Sequence, residues 1–319
     1  MWPRSRQMVA SQEVLLPGLA RSVPDLEGEL LMTDPSPLLG VTGATGRLGS
    51  RVARRLAAAG AAQRLLVRDP SRAPQLPGSV PARAPFADQG AVRAALEGVP
   101  IVLMVSASET PDRVGQHVSF IDAAVAAGVG HLVYISFYGA SPTCTFTLAR
   151  DHYATEQHIR ASGLRFTFLR DNFYADFLPA MAGHDGVIRG PAADGRVAAV
   201  AQDDIADAAA TVLRDPERHT GITYSLTGPQ ALSLDDVAAT LSAGLGRPVR
   251  YQRETVEEAF ASRASYGAPR WQVDAWVSTY LAIANGEVAG VTDDIPRVTG
   301  HPATSLAELL RHGRSAYHP

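Results

Sequence analysis

The stretch Leu39-Gly40-Val41-Thr42-Gly43-Ala44-Thr45-Gly46-Arg47-Leu48-Gly49 leaves this chain few choices of fold. An apolar run ending at Thr42 reads as a buried strand, Gly43, Gly46 and Gly49 as a tight turn, and Leu48, Val52 and Leu56 as the start of a helical stripe. Strand, glycine turn and helix in that order present free N–H groups and the positive end of a helix dipole, with no side chain to keep a pyrophosphate away. A dinucleotide meets both conditions. The spacing is G-x-x-G-x-x-G rather than the better-known G-x-G-x-x-G, and an ordinary strand-to-helix turn shows the same glycines, so the surroundings have to decide.

They favour the dinucleotide. A second apolar strand, Leu65-Leu66-Val67, ends in Arg68-Asp69-Pro70, about 20 residues downstream, where a ribose-reading residue belongs. An arginine at that strand end pairs with a 2′-phosphate, whereas NAD binders tend to place a carboxylate there. Arg68 therefore points to NADP(H) in preference to NAD(H), although Asp69 stands beside it and a solvated loop charge is the plain alternative.

From residue 38 strand and helix alternate, which predicts a doubly wound parallel sheet. Val80 to Phe86 reads as a weak third strand. Asp88 beyond it either meets an adenine edge or caps a helix. Pro100 to Val105 is continuous and apolar, as a central parallel strand should be, and sets Ser106 beside the cofactor. Leu132 to Ile135 delivers Ser136, Phe137 and Tyr138 to the carboxyl edge, a helix carries His152 and Glu156, and Phe166 to Leu169 leads into Asn172 and Tyr174.

Beyond this the alternation loosens. Val197 to Val200 and Thr223 to Thr227 read as strands, Asp203 to Leu213 as a capped helix, and Ser233 as the N-cap of an amphipathic helix. Tyr251, Phe260, Tyr266, Trp271, Trp276 and Tyr280 are expected on helices, either as packing residues or as a cap over an apolar pocket. Residues 1–31 read as a flexible N-terminal extension, with Met32 a candidate initiator. The division expected is 32–175 with 197–228 for the dinucleotide domain, and 176–196 with 229–319 for a smaller substrate domain.

All 29 basic residues of the Lys+Arg count are arginine. Having no lysine excludes Schiff-base, P-loop and Tyr-x-x-x-Lys chemistry. A net charge of -3 argues against a nucleic-acid surface. With one cysteine, Cys144, no secretory signal and no run long enough to span a bilayer, a cytoplasmic protein is expected, acting on a small molecule rather than a membrane. No metal-ligand set is recognised, and a homodimer is left open.

The glycine turn, Val67-Arg68-Asp69-Pro70, Val133-Tyr134-Ile135-Ser136-Phe137, the His152 to Glu156 helix, Ser162-Gly163-Leu164 and Leu169-Arg170-Asp171-Asn172-Phe173-Tyr174 resemble the NmrA-like atypical short-chain dehydrogenases. The branch most similar is that of the bacterial NAD(P)H:quinone oxidoreductases and triphenylmethane reductases. The resemblance implies a Rossmann-type doubly wound parallel α/β sheet with a smaller C-terminal α+β substrate domain. It implies that Gly43, Thr45, Gly46, Arg47, Leu48 and Gly49 cradle the pyrophosphate, that Arg68 meets the 2′-phosphate, and that Ser106, Ser136, Phe137 and Tyr138 flank the nicotinamide. Asn172 orients the nicotinamide amide or the substrate, or is a turn residue. Standard members carry Tyr-x-x-x-Lys where this chain has His152 and Glu156, so reduction of conjugated acceptors such as quinones is expected rather than of simple ketones. His152, Tyr138 and Tyr174 are the candidates for a late proton or a substrate hydrogen bond. A non-catalytic NADP(H) sensor is the alternative function.

Overall fold

The apolar runs fold as strands with intervening helices, in the computed structural model that describes residues 37–311; the expected extension over residues 1–31 lies outside the described residues. The first half of the chain runs β1 Leu39–Thr42, α1 Arg47–Ala58, β2 Gln63–Val67, β3 Ser79–Arg83, α2 Gln89–Leu96, β4 Ile101–Met104, α3 Arg113–Ala126, β5 His131–Phe137, α4 Thr147–Ala161 and β6 Arg165–Asp171. Then come α5 Leu178–Met181, β7 Val187–Gly190, β8 Arg196–Val197, α6 Gln202–Arg214, β9 Thr223–Leu226, β10 Leu232–Ser233 and α7 Leu234–Leu245. The last elements are β11 Arg250–Arg253, α8 Val256–Arg263, α9 Arg270–Ala284, α10 Asp294–Thr299 and α11 Leu306–Arg311.

Seven strands form one sheet in the order β3-β2-β1-β4-β5-β6-β9. Every pair in it is parallel. This is the Rossmann-type α/β order extended by β9. Strand order reverses between β1 and β4, which opens a crevice at their carboxyl ends.

The two faces of the sheet follow from the strand period of two. On β4, Ile101 and Leu103 pack with Leu48, Val52 and Leu56 of α1 and Ile205 of α6, while Val102 and Met104 pack with Val92, Phe120 and Ile159 of α2, α3 and α4. Each of these large side chains, fully buried, contributes about 1.5–3 kcal/mol. The same parity runs through β5 and β6. Val133, Ile135 and Leu169 face α1 and α6, and Tyr134 and Phe168 face α3 and α4. A third apolar cluster joins Phe137 and Phe146 to α5, α7, α9 and α11.

Several boundaries differ from the sequence reading. The third strand stops at Arg83, and Ser136 and Phe137 lie inside β5 instead of beyond it. Tyr251 sits on β11, not on a helix: its hydroxyl accepts from Ala192 N and donates to Gly190 O, tying β11 to the β7 end. The helix α6 starts after Ala201 with no side-chain cap, and its acids instead hold α1: Asp203 and Asp207 take Arg55 at 2.8 and 2.6 Å. Ser233 does cap α7, in a reciprocal box with Asp236.

Candidate active site

The turn between β1 and α1 is built for close approach. Gly43 has φ +64°, a left-handed conformation that disfavours side chains, and a Cβ on Gly49 would stand 2.3 Å from the Gly43 carbonyl oxygen. The first turn of α1 has no side-chain cap. Among the described residues the N–H groups of Thr45, Leu48 and Gly49 have no acceptor, so they are available to an anion. Thr42 Oγ1 accepts from Val105 N at 2.7 Å and so pins the end of β4 beside this turn.

At the end of β2, Arg68 is exposed and makes no ion pair among the described residues. Asp69 is committed elsewhere: it caps the short turn Pro70–Arg72, accepting from Ser71 N at 3.0 Å and Ser71 Oγ at 2.7 Å, which holds its carboxyl below the usual range. Asp88 caps α2 through Ala91 N at 3.0 Å and pairs with Arg83 at 3.0 Å, so both its oxygens are engaged locally. These residues fit a dinucleotide phosphate cradle with a free arginine at the ribose end.

A cleft of about 600 Å³ opens from this turn along the carboxyl edge of the sheet. Its size suits a small organic ligand. Arg47, Leu48, Val105 and Ser106 line the cofactor end. Phe137, Phe146 and Phe173, each about 5 Å from the next by ring centroid, make one wall. Trp276, Thr279 and Ile283 of α9 also line it, as do Phe177, Leu178 and Met181. Of the late aromatic residues only Trp276 lines this cleft; Tyr280, by contrast, packs so closely over Gly190 that a Cβ there would be 2.2 Å from its ring.

Strand parity sorts the expected residues. Ile135, Phe137 and Asp171 turn to the cleft. Ser136 turns the other way: its hydroxyl donates to Glu156 Oε1 at 2.6 Å, and it does not line the cleft. Arg170, its register partner, follows it and grips Glu156 with Nε at 2.8 Å and Nη2 at 2.7 Å. Tyr138, past the strand end, lines a separate recess of about 230 Å³ behind Phe137 and points its hydroxyl at Gly290. Of the three residues expected to flank the nicotinamide on this segment, Phe137 lines the cleft and Ser136 and Tyr138 do not. Asn172 borders the cleft, but its amide is spent on the backbone, donating to Val288 O at 3.0 Å and accepting from Phe173 N at 2.8 Å. Ser106 lines the cleft and donates its hydroxyl to Ile135 O at 2.8 Å.

His152 reaches the cleft from α4 and is 7% exposed. Its Nε2 lies 3.1 Å from Arg113 Nη2, and a guanidinium only donates, so Nε2 accepts and the ring proton sits on Nδ1, 2.9 Å from the Tyr134 hydroxyl. Burial, then Arg113 and His117, push His152 well below its usual value, and burial pushes Tyr134 up to about 12. The ring is neutral and its proton is committed inward.

Arg113 and Asp171 were not singled out by sequence reasoning. Arg113 is buried at the start of α3, donating also to Ala107 O at 3.1 Å and pairing with Asp151 at 3.6 Å. Asp171 closes β6 beside the cleft and accepts from the Tyr174 hydroxyl at 2.9 Å. Its place at the carboxyl end of a parallel strand was the available signal.

Comparison with known proteins agrees with this geometry. The sequence pattern of the NmrA-like family matches residues 36–270. Quinone oxidoreductase 2 of Escherichia coli is 34% identical over 283 residues, 86% of this chain and 98% of that protein. NAD(P)H azoreductase of Xenophilus azovorans is 36% identical over 282 residues, 87% of this chain and 98% of that protein. The crystal structure of the Escherichia coli NADPH-dependent quinone oxidoreductase complexed with NADPH superposes with a TM-score of 0.80 at 33% identity, over 86% of this chain and 99% of that one. The chain belongs to the NmrA-like family and is an NAD(P)H-dependent oxidoreductase.

Proposed function

We propose that the protein transfers hydride from NADPH to a quinone or another conjugated small-molecule acceptor, without a tyrosine–lysine proton relay. The observation that carries this reading is the cleft of about 600 Å³ that runs from the glycine turn and is lined by the packed rings of Phe137, Phe146 and Phe173 and by Trp276. A flat conjugated ring packs well against such faces. Two relatives are named as a quinone oxidoreductase and an azoreductase, which supports the same acceptor class. A collapsed cleft would have supported the sensor; the open one supports turnover.

Bound NADPH supplies the hydride. The Thr45, Leu48 and Gly49 N–H groups with the Gly43–Gly46 turn hold the pyrophosphate, and Arg68 holds the 2′-phosphate, Asp69 being turned to Ser71. Ser106 and Phe137 border the nicotinamide end, and Phe146, Phe173, Leu178, Met181 and Trp276 supply the acceptor side. The chain's part in catalysis is mainly to hold donor and acceptor in contact and out of water. A quinone suits this arrangement because its reduced form is stabilised by conjugation and asks less of a proton relay than an alkoxide does.

The test is NADPH oxidation by the purified protein with a panel of quinones, alongside an NADPH titration without acceptor. Turnover with several quinones is the expected result. Tight NADPH binding with no turnover of any conjugated acceptor would overturn the reductase reading.

A further inference from the structure

Asp171 ends β6 on the cleft side of the sheet and is 4% exposed. Its Oδ2 accepts from the Tyr174 hydroxyl at 2.9 Å. Its Oδ1 has no hydrogen-bond partner among the described residues, and no cation among them lies within ion-pair distance of either oxygen. The nearby guanidinium of Arg113 donates through Nε to Ala107 O and through Nη2 to His152, and its Nη1, without a hydrogen bond, stands 3.6 Å from Asp151. A carboxylate in that place would be largely buried, with one side-chain hydrogen bond, one oxygen turned to the cleft, and no cation closer than the ion-pair limit. Removing such a charge from water costs several kcal/mol, and the group keeps its proton instead.

The surroundings agree. The register neighbours of Asp171 are Phe137 on β5 and Leu226 on β9, both apolar. The titratable and charged groups about it are Arg47 of α1, Arg113 of α3, His152 of α4, Tyr174 and Asp176 beyond β6, and Glu109, also lining the cleft. Burial pushes Asp171 well above the usual carboxylate range, against the smaller opposing pulls of Tyr174 and Arg113. Burial and Asp171 together push Tyr174 up as well, so the phenol stays a donor.

We propose that Asp171 is the acid that delivers a proton to the oxygen of the acceptor as hydride reaches its ring system, an assignment that rests on the reductase reading above. The acceptor gains two electrons, taken from NADPH, and negative charge develops on its oxygen. The Asp171 O–H bond breaks, its electron pair stays on the carboxylate, and a new O–H bond forms on the reduced acceptor. Tyr174 donates to the carboxylate left behind, and a solvent proton restores the acid for the next turnover.

Asp171→Asn keeps the shape and the acceptor for Tyr174 but has no proton to give. Quinone turnover should fall by about 10²-fold, the range of a general acid, with NADPH binding and acceptor KM unchanged. In the unmodified protein kcat should fall as pH rises through the elevated Asp171 value, and that alkaline limb should vanish in the variant. A cationic triphenylmethane dye takes up hydride to give a neutral product and needs no proton, so its reduction should fall far less than that of quinones. Equal losses on quinone and dye would mean that Asp171 only positions ligands, and would overturn the assignment. Infrared spectra of the free protein give a reading that needs no activity. The carboxylic C=O band present at neutral pH should disappear on Asp171→Asn, and its absence from the unmodified protein would overturn the proposal for Asp171 alone. Failure of the unmodified protein to turn over any acceptor would instead defeat the reductase reading, and with it the catalytic role.

Discussion

Gly49→Ala tests whether the glycine turn works by close approach. The added Cβ would lie 2.3 Å from the Gly43 carbonyl oxygen, 2.5 Å from the Gly43 carbonyl carbon and 2.8 Å from Thr42 O. All three are backbone atoms, so no change of rotamer relieves the clash. An ordinary carbon–oxygen contact is about 3.3 Å or longer, which requires α1 to retreat from the turn by about 1 Å. Overpacking of this kind costs about 1–3 kcal/mol. Alanine returns about 1 kcal/mol over glycine within a helix, so the net loss is up to about 2 kcal/mol. The fall in Tm should be at most a few degrees. The effect on the cofactor is larger, because the N–H donors of Leu48 and Gly49 move with the helix. Their displacement should weaken NADPH binding at least tenfold, and a misplacement of about 1 Å carries a penalty of about 10²-fold in turnover. Gly46→Ala is the control: its Cβ would stand 3.2 Å from Gly43 O, a crowding that a shift of a few tenths of an ångström removes. NADPH titration by fluorescence and thermal unfolding, run on both variants, separate the two effects. An unchanged Kd and Tm for Gly49→Ala, or a larger loss for Gly46→Ala, would refute the reasoning.

Arg68→Ala should raise the Kd for NADPH by about 10–100-fold, the worth of hydrogen bonds to a charged group, and leave NADH unchanged; titration with both cofactors measures the difference. Glu156→Gln should lower stability by about 3 kcal/mol in urea unfolding, since Arg170 and Arg160 would face a neutral amide, while kcat per folded molecule is retained. His117 is held down to about 3 by burial and Arg113, so it is neutral in the folded state, whereas the unfolded chain protonates near 6.5. Between those values the unfolded state binds the extra proton, and stability falls as pH drops, by about 1.4 kcal/mol per pH unit from this group. The acid limb of His117→Gln, followed by urea midpoints, should be shallower by that slope.

The parts of this molecule that were legible in the sequence are those written in local periodicity. Val41-Thr42-Gly43 followed by Leu48, Val52 and Leu56 specifies strand, turn and helix within a few residues, and Ser233 with Asp236 specifies a helix start. The side chains at the mouth of the cleft were harder, because their direction depends on where β5 stops. Its extension to Phe137 puts Ser136 on the α4 face and Phe137 on the cleft face. A strand read as ending at Ile135 leaves that parity undetermined. Tyr251 was misplaced for a related reason. Its role comes from pairing β11 with β7, an interaction between segments about 60 residues apart that no short window contains. The hydrogen-bond partners of His152 are likewise set by three elements, α3, β5 and α4, and settle its tautomer only once assembled.

The helix α4 shows why the missing tyrosine–lysine pair is coherent with the rest of the site. Glu156 is fully buried and takes four hydrogen bonds, from Ser136, Arg160 and both donors of Arg170. It is a clamp between α4 and the β5–β6 pair, with no lone pair or proton left for chemistry. His152, one turn earlier, accepts from Arg113 and commits its proton to Tyr134. His152 and Glu156, where the resemblance leads one to expect a tyrosine and a lysine, are thus occupied by structural contacts. Substitution of either residue should be read as a change in packing before it is read as a change in mechanism. Across the cleft, the carboxyl of Asp171 has the opposite character: it is buried, and one oxygen has no partner among the described residues. If proton delivery occurs in this fold, it belongs on β6 rather than α4, and the contrast between Glu156→Gln and Asp171→Asn makes that measurable. The first should lower stability and spare turnover, and the second should spare stability and lower quinone turnover. Reversal of the two phenotypes would return the proton to α4.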